Sequence, residues 1–118
     1  MHVSAKYGEI KRLEILIKAG GNVNETCRAR LTPLIEASKR CQIDAVSLLI
    51  KNGANINFVG HRGNTALNFA AEERLINVVR ELLKNKAKLI GNDQNYTPLH
   101  MASHINHWEM ILLNSAVL

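Results

Sequence analysis

The sequence predicts an all-α solenoid, a row of helix-turn-helix units stacked side by side with loops projecting from one edge. Two observations carry this. The stretch Thr32-Pro33-Leu34-Ile35-Glu36-Ala37 returns as Thr65-Ala66-Leu67-Asn68-Phe69-Ala70 and as Thr97-Pro98-Leu99-His100-Met101-Ala102, at spacings of 33 and 32 residues. A second, apolar pattern keeps step with it: Ile43, Val46, Leu49 and Ile50, then Ile76, Val79, Leu82 and Leu83, and earlier Ile10, Leu13, Leu16 and Ile17. A fixed period of this length is the signature of stacked repeats, each of which buries its apolar face only against a neighbour.

The first helix of each unit begins at the motif threonine. Its side-chain oxygen can accept from the unpaired amides of a helix start, and proline at the next position fits the first turn, where its missing N–H costs nothing. The Leu and Ala that follow lie on one face at helical spacing, and the small residue lets a neighbouring helix approach closely. The second helix is the i, i+3, i+6, i+7 apolar stripe, which presents one face to the core.

Motif and period together resemble the ankyrin-repeat family, whose pattern is T-P-L-H-x-A at about 33 residues. The resemblance covers essentially the whole chain and implies one domain, 1–118, of repeats at about 1–31, 32–64, 65–96 and 97–118. It also implies β-hairpin-like fingers projecting at about a right angle from the helix pairs. The implied function is non-catalytic: a scaffold that binds another protein on the concave surface formed by fingers and first helices.

Repeat one places Met1 in the Leu slot and His2 in the His slot, so its Thr-Pro is missing. The expectation is a piece cut from a longer array; the alternative is a true start whose first helix lacks its cap. Gly8 is the inter-helix turn and Gly20 the helix exit, where glycine serves a left-handed backbone. Residues 25–31 form the first finger. Repeat two keeps the pattern from end to end, with Ile35 in place of His and Cys41 in the inter-helix Gly slot. Repeat three keeps its apolar face but has Arg74 and Lys86 in the two Gly slots, Ala66 for Pro, and Ile90 where the earlier repeats have Asn24 and Asn57. Each non-Gly in a left-handed position costs on the order of 1 kcal/mol, so this repeat is expected to be the soft one. Repeat four opens well, but Asn114 and Ser115 interrupt its second stripe, as a polar terminal cap or a chain boundary would.

The register makes a sharp expectation. Leu34, Ala37, Val46, Leu49, Leu67, Ala70, Val79, Leu82, Leu99 and Ala102 are to be buried, and Arg74 and Lys86 are to have positive φ.

With 47% hydrophobic residues but only 4% aromatic among its 118, the chain has an aliphatic core and reads as soluble and helical. No run of about 18 apolar residues occurs, and no basic segment followed by an apolar stretch opens the chain, so neither a membrane span nor a signal peptide is expected. The expected compartment is the cytoplasm, with the nucleus as alternative. Cys27 and Cys41 form no C-x-x-C and read as reduced thiols.

No catalytic constellation emerges. His100 and His104 stand at i, i+4, a spacing that lets two imidazoles share a metal, but no Glu completes H-E-x-x-H and His107 falls at the predicted turn. His100 is the motif histidine, which the resemblance assigns to bonding within its own repeat. Glu72 and Glu73 are adjacent, about 100° apart on a helix, and do not converge on a substrate. No phosphate-binding or nucleophile-elbow motif occurs, and the glycines are explained by repeat geometry. No cofactor and no metal are expected.

Charge is uneven. The formal net charge is +5; residues 1–62 hold ten Lys and Arg against five Asp and Glu, while residues 63–118 hold five against five. Such asymmetry marks either a surface for an acidic partner or a solvated basic face. Nucleic acid is the weaker reading, because only Tyr7 stands near the basic cluster to stack a base.

The resemblance also implies where a partner sits: on the finger residues before each motif Thr and on the exposed side of each first helix. In repeat one these slots hold Lys6, Tyr7, Thr26, Arg28 and Arg30; in repeat two Glu36, Lys39, Arg40, Val59, His61, Arg62 and Asn64. Repeat three contributes Phe69, Glu72, Glu73, Gln94 and Tyr96, and repeat four Met101 and His104. Six of the fifteen Lys and Arg residues lie on this strip, all in the first two repeats. The expected partner is therefore a protein presenting an acidic or phosphorylated segment, bound by a monomer or by part of a longer chain. Two alternatives stand beside it: a targeting module of a longer enzyme or secreted effector, and a nucleic-acid binder acting through the basic first half.

Overall fold

The structure is a computed structural model that describes residues 1–93. The expected fourth repeat, with its histidines, Leu99, Ala102 and the partner positions Gln94, Tyr96, Met101 and His104, lies outside the described residues. Within them the chain forms α1 (His2–Lys6), α2 (Ile10–Lys18), α3 (Pro33–Lys39), α4 (Ile43–Lys51), α5 (Ala66–Glu72) and α6 (Ile76–Lys84), with a single 3-10 turn at His61–Gly63. The first helices α1, α3 and α5 pack in one row and the second helices α2, α4 and α6 in another, each pair antiparallel across a short turn. No strand occurs among the described residues.

The helices begin as the motif dictates. Thr32 Oγ1 accepts from the Ile35 N–H and Thr65 Oγ1 from the Asn68 N–H, both at 3.2 Å, and Pro33 occupies the first turn of α3. Helix α1 starts at Met1 with no side-chain cap, as the missing Thr-Pro requires. Loss of such a cap costs about 1 kcal/mol.

The helices end as the register dictates. The turns after α1, α3 and α5 are left-handed at Gly8, Cys41 and Arg74, with φ of 67°, 56° and 57°. The exits of α2, α4 and α6 are left-handed at Gly20, Gly53 and Lys86, with φ of 88°, 92° and 67°. Arg74 and Lys86 thus take the conformation expected of glycine slots.

The core is the line of contact between successive units. Leu34, Ala37, Val46, Leu49, Leu67, Ala70, Val79 and Leu82 are all buried, which confirms the register for every expected position that the structure describes. Burying each such Leu stabilises by about 1.5–3 kcal/mol. Alanines 37 and 70 keep the first helices close enough to form a continuous row.

Polar groups stitch the units together. Asn22 Oδ1 accepts from the Asn24 N–H at 2.9 Å, an Asx turn that aims the Asn24 amide at repeat two. There Asn24 Oδ1 accepts from the Asn55 N–H at 2.6 Å and Nδ2 donates to the Gly53 carbonyl at 3.2 Å. One repeat on, Asn55 orients Asn57 in the same way, and Asn57 Oδ1 accepts from the Lys88 N–H at 2.8 Å. On the other edge His2 Nε2 bonds the Leu31 carbonyl at 2.9 Å and ties the first helix to the finger of its own repeat. The residue in the His slot of repeat three, Asn68, is wholly buried, and neither of its amide atoms has a hydrogen-bond partner among the described residues.

Candidate protein-interaction surface

The first two fingers are hairpin loops, each held by its own backbone. In the first, the Cys27 N–H donates to the Leu31 carbonyl at 3.1 Å and the Arg30 N–H to the Cys27 carbonyl at 2.9 Å, with Arg30 left-handed at φ 58°. This is a three-residue hairpin closed by a left-handed residue. The second repeats it one period later: the Gly60 N–H donates to the Asn64 carbonyl at 2.9 Å and the Gly63 N–H to the Gly60 carbonyl at 3.0 Å, with Gly63 at φ 73°. Arg62, beside it, is also left-handed at φ 56°. The expected hairpin-like reversal is present, but it is too short for a strand ladder.

Successive fingers are locked together. The His61 N–H donates to the Arg30 carbonyl, and the Asp93 N–H to the Arg62 carbonyl, each at 3.1 Å. The approach is so close that a Cβ on Gly60 would stand 2.5 Å from the Arg30 carbonyl oxygen, and one on Gly63 would run into the Asp93 carboxylate. Glycine is needed at both places for the fingers to nest.

Across the nested tips runs an open groove of about 480 Å³, into which Arg28, Arg30, His61, Arg62 and Asp93 converge, with Ala29 and Val59 as its apolar wall. All five polar side chains are exposed. Among the described residues none of the three groove arginines forms a salt bridge, although the Asp93 carboxylate lines the same groove.

The first helices form the other side of the strip. Tyr7 is 61% exposed, and the Lys6 ammonium lies 5.5 Å from its ring centroid. One repeat along, the Lys39 ammonium lies 5.0 Å from the Phe69 ring and so spans α3 and α5, a cation–π contact between repeats. Arg40, Glu72 and Glu73 are exposed and Glu36 is half-buried.

The structure therefore brings Arg28, Arg30, Val59, His61 and Arg62 into one groove and Lys39 and Phe69 into one pair. Thr26 is exposed but does not line the groove. Asn64 departs from expectation: it is 6% exposed, because its Oδ1 accepts from Asn92 Nδ2 at 2.7 Å and ties the second finger to the third. Asp93 was not among the expected positions. The repeat register could have found it, since it stands one period after His61, which stands one period after Arg28.

Among the described residues no three His, Cys, Asp or Glu side chains gather as a metal site would require. No helix among them is long and apolar enough to cross a membrane. Cys27 and Cys41 are free thiols.

A family model described as ankyrin repeats (3 copies) matches residues 1–93 and 55–115. No curated protein matches the chain.

Proposed function

The chain belongs to the ankyrin-repeat family, generally protein–protein interaction modules, and from that premise we propose that it binds an acidic segment of a partner protein along the fingers and first helices of repeats one and two. One observation carries the choice of partner: Arg28, Arg30, Arg62, Lys39 and Arg40 stand exposed along one strip, and none is paired with a carboxylate among the described residues. Charge so placed raises the association rate and discriminates between partners, and its effect falls as salt screens it. Glu72 and Glu73 mark where the positive part of the strip ends; Phe69 beside them offers apolar contact. In this reading the chain is a scaffold in the cytoplasm and non-catalytic, the last being typical of the family.

The test is charge reversal. Arg28, Lys39, Arg40 and Arg62 are changed together to Glu, and binding to a partner recovered by affinity pull-down is measured from low to high salt. The expected result is a loss of affinity that is largest at low salt. Undiminished affinity, with the circular dichroism of the folded chain intact, would place the partner elsewhere.

A further inference from the structure

The two arginines that line the groove from the finger tips are both left-handed, at φ 58° for Arg30 and 56° for Arg62. The slot of Arg30 in the first finger is that of Gly63 in the second, so glycine fits the turn there without strain. A side chain in that conformation costs on the order of 1 kcal/mol, and backbone strain of this kind concentrates at ligand-binding sites. The cost is not relieved by motion, because the carbonyls of both residues accept from the next finger. The guanidinium groups thus project from a backbone that is already ordered, and ordering them on a ligand loses less entropy.

We infer that the groove between the first two fingers is a seat for the phosphate of a phosphorylated serine or threonine in the partner's segment. The inference rests on the reading above and names the anionic group. Charge decides between the candidates. Arg28, Arg30 and Arg62 bring three positive charges to the groove and Asp93 brings one negative, which leaves two positive. A phosphate monoester carries about −1.5 to −2 at neutral pH and three acceptor oxygens, whereas a carboxylate carries one charge and two oxygens. Guanidinium forks bind such oxygens bidentately, with geometry a lysine does not supply. Val59, 40% exposed, and Ala29 give the wall an apolar surface for the carbon stem of the phosphorylated residue.

The same geometry disfavours a polyanion. Asp93 closes the groove on the side of the third finger, and Glu72 and Glu73 stand exposed on α5. A nucleic-acid backbone laid along the strip would meet these carboxylates at its next phosphates. A single phosphate seated in the groove meets only Asp93, whose one charge the three arginines outweigh, and leaves Glu72 and Glu73 uncontacted.

The experiment uses the whole chain, isotopically labelled, and three short Gly/Ser peptides whose central residue is phosphoserine, glutamate or serine, with a thymidine oligonucleotide as the polyanion. Amide resonances are followed by NMR and affinities by fluorescence anisotropy at about 150 mM salt, where long-range attraction is screened. The phosphoserine peptide is expected to shift the amides of residues 28–30 and 61–63 and to bind about tenfold more tightly than the glutamate peptide, a difference of about 1.4 kcal/mol. The double variant R30G/R62N separates binding from folding, since Gly and Asn tolerate the left-handed backbone. It should melt no lower than the parent and bind the phosphoserine peptide about tenfold more weakly. Equal binding of the phosphoserine and glutamate peptides, unshifted finger amides, undiminished binding by the variant, or tighter binding of the oligonucleotide would each overturn the inference. If the recovered partner loses affinity for K39E/R40E but not for R30G/R62N, the acidic-segment reading stands and the phosphate seat does not.

Discussion

Repeats two and three bury the same slots but differ where the backbone asks for a special residue. Leu34 and Leu67, Ala37 and Ala70, Val46 and Val79, and Leu49 and Leu82 are equally buried, and both motif threonines cap at 3.2 Å. Yet repeat two leaves α4 through Gly53, whereas repeat three leaves α6 through Lys86 at φ 67°. Asn57 reaches forward to the Lys88 N–H, while its counterpart Ile90 has no amide with which to reach anything. The buried His slot holds an apolar Ile35 in one repeat and the Asn68 amide in the other. The apolar stripe and the threonine cap are thus enough to specify the unit; the glycines and asparagines grade its stability.

If the stripes are equivalent, L49A and L82A should each lower stability by about 3 kcal/mol in urea unfolding, the cost of truncating a buried Leu whose neighbours relax only partly. A loss under about 1 kcal/mol for either would break the equivalence. Next in size are the asparagine bridges. Asn24→Ala removes two hydrogen bonds to repeat two and Asn57→Ala one to repeat three, so losses of about 1–2 and about 1 kcal/mol are expected in the same assay. An Asn57 variant as stable as the parent would mean that the bridge adds nothing to the interface.

The left-handed exits give a mirror-image pair. Lys86→Gly should stabilise by roughly 1 kcal/mol and Gly53→Lys should destabilise by a similar amount, both read as changes in melting temperature. An unchanged or lower melting temperature for the glycine variant would contradict the strain assigned to repeat three. The same difference should appear without mutation, because a solenoid opens locally at its weakest neighbour interface. Amides of residues 84–93 should exchange with solvent faster than those of 47–57, and the reverse order would make repeat two the soft one.

Much of this was legible from the residues. The period, the buried stripes, the caps and the positive φ of Arg74 and Lys86 all follow from local chemistry repeated at a fixed spacing. The contacts between repeats were less so. Asn24 and Asn57 stand out as recurrent, but their bonds join residues 31 apart, and only stacking brings those together. Asn64 reads as a finger residue open to a partner, yet it is closed off by Asn92 from the next finger. The left-handed Arg30 and Arg62 carry no composition signal, because nothing in an arginine announces positive φ. Their conformation comes from the hairpin and the neighbouring finger.

The two regions also differ in sign, and that difference bears on function most directly. Lys39 and Arg40 end the first helix of repeat two, and Glu72 and Glu73 occupy the same place in repeat three. The decisive measurement is the affinity of one recovered partner for K39E/R40E and for E72K/E73K, compared with the parent at low and at physiological salt. An acidic segment lying along the strip predicts opposite effects, weaker binding for the first and tighter for the second, with the two converging on the parent as salt rises. Equal effects of the same sign, or none from either, would contradict it.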